Sequence, residues 1–178
     1  MRWITFLLLL YLAYALQVSH LGALLLGHTT DDPWPCIEYI PLLAVFYALF
    51  AAESAAPLAA LVCGMLYDVG NKDFLGTTMI PLALTALVIV KIRLLIFREH
   101  IISHIIMTLV ALLLLAVLST TFRALLKAPL YADSIFLHFI HLAGNALYTA
   151  LLAPAFFYLF FRLKSLLGFN LQGPRPRS

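Results

Sequence analysis

Residues 64–76 read Gly-Met-Leu-Tyr-Asp-Val-Gly-Asn-Lys-Asp-Phe-Leu-Gly. An apolar segment that begins near Ala55 closes on Asp68. Gly70, Asn71, Lys72 and Asp73 make a short polar turn, and Leu75 and Gly76 open a second apolar segment that runs to about Phe97. The pattern predicts two membrane helices joined by a tight hairpin, with an acid at its lip.

The rest of the composition fits that reading. Of 178 residues, 64% are hydrophobic and 11% are charged, whereas a soluble domain is about a quarter charged. So few charges cannot cover a water-soluble globule, and no hydrophilic block is long enough to fold separately. The expected class is a single all-α integral membrane domain. The net charge of +3 carries no basic cluster, which excludes a surface that tracks nucleic acid. Cys36 falls in a loop and Cys63 inside an apolar segment, so no disulfide, metal or redox signature emerges, and no cofactor is expected.

Six transmembrane helices are expected, at about 3–26, 37–50, 56–69, 75–97, 101–119 and 135–161, followed by a basic tail over 162–178. The first run is long enough to cross roughly 30 Å of hydrocarbon. A signal peptide is the rival reading of Arg2 and the run behind it, but the run is too long and no small-x-small site closes it. Asp31, Asp32, Pro33 and Pro35 end it in a polar loop, and Pro41 stands in the first turns of the second helix, where its missing N–H is tolerated. Glu53 would cost about 2.5 to 3.5 kcal/mol at the bilayer centre on insertion scales for a comparable acid. It is therefore placed at an interface, with the chain broken there; one long tilted or kinked helix over 37–69 is the alternative.

The third segment carries a ridge at spacing four, Ala52, Ala56, Ala60, Gly64 and Asp68, which shares one helix face. Small residues let a neighbouring membrane helix approach closely. Leu58, Leu61, Val62, Met65 and Leu66 make the opposite face bulky. Six helices with both termini on one side put Arg2, Lys91, Arg93, Arg98, Arg162, Lys164, Arg175 and Arg177 together, against Lys72, Arg123 and Lys127 on the other. This bias predicts cytoplasmic termini, with the Asp68–Gly76 turn and a loop holding Arg123 outside.

A G-x-x-x-D helix end (Gly64 to Asp68), a polar turn, Leu75-Gly76 and a long apolar helix ending in Lys91 and Arg93 resemble the MreD family of bacterial rod shape-determining membrane proteins. The proline-led second helix and the last segment, Gly144-Asn145-Ala146-Leu147 to Pro154 and Arg162-Leu-Lys164, are similar to that family too. The resemblance implies a non-enzymatic scaffold of lateral cell-wall growth in the bacterial inner membrane. It implies association with a bitopic MreC-like partner and, through it, with a RodA-like glycosyltransferase, a penicillin-binding transpeptidase and MreB filaments. The implied fold is similar to the six-helix substrate-binding subunits of energy-coupling-factor transporters.

Asp68 is the leading candidate for function, as an acid that pairs, binds a partner or carries a proton. Its plain reading is a hydrated acid at the interface that ends the helix, or a hydrogen bond to turn backbone or to a neighbour such as Asn145. Tyr67-Asp68 matches half of an intramembrane aspartyl protease signature, but the second acid is missing, so no shared-proton dyad forms. His100 and His104, and His138 and His141, sit at helical spacing without a zinc motif, and interfacial histidines are the simpler reading. Gly64, Gly70 and Gly76 match no phosphate loop and are read as turn and packing residues. Arg123 and Lys127 are read as an outer rim that meets lipid headgroups or a partner's acids, or is simply solvated. The packing and partner candidates are thus Ala56, Ala60, Gly64, Asp68, Gly70, Gly76, Arg123 and Asn145. The rival class is a substrate-binding subunit of a small-molecule transporter. For that, Gln17, Thr85, Thr108, Asn145, Tyr148 and Thr149 are a thin set of polar groups within the spans.

Overall fold

The computed structural model describes residues 3–18, 37–71, 74–93, 101–126 and 135–162. These form six helices and no strand: α1 (Trp3–Val18), α2 (Tyr39–Phe50), α3 (Ala55–Gly70), α4 (Met79–Ile92), α5 (Ile101–Leu126) and α6 (Ile135–Arg162). The central element is α2. Every residue from Ile40 to Leu49 is buried, and α2 packs against all five other helices.

Aromatic edges fasten α2 to its neighbours. Phe6 of α1 meets Tyr47 edge-on with ring centres 4.8 Å apart. Phe46 lies 5.4 Å from Phe157 and 5.0 Å from Phe160 of α6, and Tyr39 meets Phe156 at 5.5 Å. Offset and edge-to-face pairs of this kind add about 0.5–1.5 kcal/mol each beyond burial. The two tightest helix pairs besides these are the hairpins α3–α4 and α5–α6.

Between α2 and α3 the chain turns over Ala51–Ser54, with Glu53 and Ser54 exposed. The alternative of one continuous helix over 37–69 is not what the structure has. Two expected boundaries are corrected. The helix expected from Leu75 begins at Met79, because residues 75–78 are a turn folded around the Asp68 side chain. The helix expected to stop near Ser119 continues to Leu126. Ser119, Thr120 and Thr121 donate their hydroxyls back to the carbonyls of Ala116 and Val117 at 2.7–3.2 Å, so this polar run needs no water and does not end the helix. Residues 19–26 and 94–97, expected as helix, lie outside the described residues.

Among the described residues, two helices are long and apolar enough to cross a membrane, over Ile105–Leu126 and Phe136–Phe160. The stretches Trp3–Gln17, Tyr39–Phe50, Ala55–Gly70 and Met79–Ile92 are apolar but shorter.

Candidate functional site

At the hairpin lip the buried Asp68 carboxylate collects four donors. Its Oδ2 accepts the backbone N–H of Gly76 at 2.8 Å and of Met79 at 3.2 Å. Its Oδ1 accepts the N–H of Thr78 at 2.9 Å and lies 3.2 Å from the Thr77 hydroxyl, whose one proton is shared with the Phe74 carbonyl at 2.9 Å. The first N–H groups of a helix have no partner within it. A carboxylate from the end of α3 here satisfies those at the start of α4, and its charge suits the positive end of the helix dipole.

Two glycines make that geometry possible. A Cβ on Gly64 would stand 2.4 Å from the Met79 Cα and 3.2 Å from the Thr78 carbonyl oxygen, so only glycine lets α4 begin so close to α3. Gly76 has φ +105°, a conformation that a residue with a Cβ adopts only with strain. Gly70 plays a separate part, against the ring of Tyr14 on α1. Ala56, Ala60, Gly64 and Asp68 are all buried along one side of α3, while Ala52 is exposed in the turn before it.

The buried helix α2 has its ends closed by other helices. The backbone N–H of Glu38 donates to the Thr149 hydroxyl of α6 at 3.1 Å, and that of Ile40 donates to the Gln17 side-chain carbonyl of α1 at 3.2 Å. Pro41 has no N–H to satisfy. The Asn145 amide donates to Glu38 Oε1 at 3.2 Å, so Asn145 pairs with Glu38 and not with Asp68. At the opposite end, Arg93 Nη1 reaches the carbonyls of Ala48 at 3.1 Å and Leu49 at 3.4 Å, and that of Ala51. A cation on the last carbonyls of a helix complements its negative end.

Arg123 requires a correction. It was expected in an outer loop, but it is on α5 and only 2% exposed. It faces a narrow cleft of about 20 Å³, shared with Glu38, Tyr67, Thr78, Ser119 and Ala146, room for about one water. The rim reading therefore does not describe it. Lys127 and His100 lie outside the described residues. His138 is buried on α6 and His141 half-buried. Among the described residues, no three of His, Cys, Asp and Glu are grouped as a metal site.

The structure thus joins Gly64, Asp68 and Gly76 in one buried knot and sets Asn145 and Arg123 around the start of α2. Sequence reasoning missed Glu38, and it counted Arg93 only as a charge that orients the chain. The signal for both was present: a charge next to an apolar run must find a partner. Compared with protein-family models, with curated proteins and with solved structures, the chain gives no match.

Proposed function

We propose that this chain is a non-enzymatic, polytopic scaffold of the bacterial inner membrane that serves lateral cell-wall synthesis, as an MreD-like protein would. The observation that carries the reading is where its buried polar side chains go. Asp68, Arg93, Gln17 and Thr149 all bond to backbone at the ends of α2 and α4. Thr85 bonds to its own helix at Pro81. Pockets that recognise small molecules need several convergent polar groups and a volume of hundreds of Å³; these groups hold helices to each other, and the cleft where Glu38, Ser119 and Arg123 converge, about 20 Å³, has room for about one water. Such an arrangement makes a rigid apolar body that acts by docking other membrane helices.

In this reading all six helices are embedded, with both termini cytoplasmic. Setting aside the buried Arg93 and Arg123 from the two sides of the topology still leaves seven basic residues against two, the positive-inside pattern. The partner is a bitopic MreC-like protein, and through it a RodA-like glycosyltransferase, a penicillin-binding transpeptidase and MreB. Membrane lipid covers the remaining apolar faces. The test is a mild-detergent pull-down of the tagged chain followed by mass spectrometry. MreC-like and RodA-like proteins are the expected companions, in reduced yield for Asp68→Ala. Recovery of a transmembrane coupling protein with two ATPases would replace this reading with the transporter one.

A further inference from the structure

The apolar face that α3 exposes is much shorter than those of α5 and α6. On α3 the exposed stripe runs from Leu58 to Val69, about 17 Å at 1.5 Å per residue. On α5 it runs from Ile106 to Leu126, about 30 Å, and on α6 from Phe136 to Leu159, about 35 Å. Polar residues bracket the short face. Glu53 and Ser54 are exposed just before α3, and Asn71 is exposed just after it. Phe74 and Leu75 are exposed in the turn that follows. Even the whole of α3, Ala55–Gly70, is only about 24 Å long.

A typical hydrocarbon core is about 30 Å thick. A helix that is too long tilts; one that is too short is met by thinning of the bilayer, by snorkelling of long flanking side chains or by oligomerisation, and Glu53, Ser54 and Asn71 beside α3 are too short to snorkel far. Neither α3 nor α4 is free to lengthen at the hairpin end. The Asp68 carboxylate fixes the start of α4 and the Gly64–Met79 approach fixes its distance from α3. We propose that the α3 face binds a locally thinned bilayer and selects lipids with short acyl chains, while the α5–α6 face sits in bilayer of ordinary thickness. This rests on the membrane reading above.

The test measures each face separately. In the full chain with Trp3→Phe and Trp34→Phe, a single tryptophan is introduced by Met65→Trp on α3 or by Val110→Trp on α5, both exposed positions. Each variant is reconstituted into phosphatidylcholine vesicles containing brominated lipid, in competition with unbrominated lipids of 14 to 22 carbons per chain. Helicity is checked by circular dichroism, and Leu58→Trp replaces Met65→Trp if that variant does not fold. The expected result is a preference of about threefold or more for 14- to 16-carbon over 22-carbon lipid at Met65, with little preference or the opposite order at Val110. Equal chain-length dependence at both positions overturns the proposal. So does quenching at Val110 with none at Met65, which would mean that protein covers the α3 face. Absence of quenching at both positions would overturn the membrane reading itself.

Discussion

Gly64 of α3 and Met79 of α4 approach so closely that a Cβ on the glycine would lie 2.4 Å from the methionine Cα. The obstacle is backbone, so it cannot move aside as a side-chain tip would. Gly64→Ala should destabilise the protein by about 1–3 kcal/mol, the usual range for overpacking. Gly70→Ala meets the edge of the Tyr14 ring, which can swing, and should cost less. Unfolding titrations in mixed micelles, followed by circular dichroism, would give the order.

Asp68 accepts from Gly76, Thr78 and Met79 backbone N–H groups and lies within reach of the Thr77 hydroxyl. Asp68→Asn keeps one acceptor oxygen but turns an NH₂ toward two N–H donors. A loss of about 2–3 kcal/mol is expected, the scale of charge-assisted hydrogen bonds. Asp68→Ala leaves the three backbone N–H groups without this acceptor and should lose more. Amide hydrogen exchange at residues 76–79 should rise in both variants; unchanged protection there would show that the cage is not what holds the start of α4.

Lys91 and Arg93 are two residues apart and should behave differently. Lys91 is exposed, whereas Arg93 is buried on the last carbonyls of α2. Lys91→Ala should stay within about 0.5 kcal/mol of the parent protein, as exposed substitutions do. Arg93→Ala leaves buried carbonyls without a donor and should cost about 1–3 kcal/mol. Equal stability of the two variants would refute the capping role.

Gln17 and Thr149 hold the start of α2 from two different helices. Gln17→Leu and Thr149→Val should each cost about 1–3 kcal/mol, since each orphans a backbone N–H. The pair acts on one helix end, so their effects should not add. A double-mutant cycle reads this directly, and strict additivity would mean that the two contacts act independently.

The sequence by itself determined the helical class and the Asp68 hairpin, and left a break near Glu53 beside one kinked helix, a choice that the structure decided in favour of the break. An apolar run in lipid must satisfy its own backbone, so it is helical, while Gly64, Asp68 and Gly76 mark a close approach, an acceptor and a strained turn by residue type alone. It did not determine which helix is central. In a chain this apolar the helices are hydrophobic nearly all round, so periodicity does not separate a buried face from an exposed one. Only the tertiary structure put α2 at the centre, drew Arg93 and Arg123 inside, and paired Glu38 with Asn145 across 107 residues of chain. The place of Arg93 follows from the end of a buried helix, whose unpaired C=O groups take the donor that packing brings to them, and contacts of that kind join residues far apart in the chain.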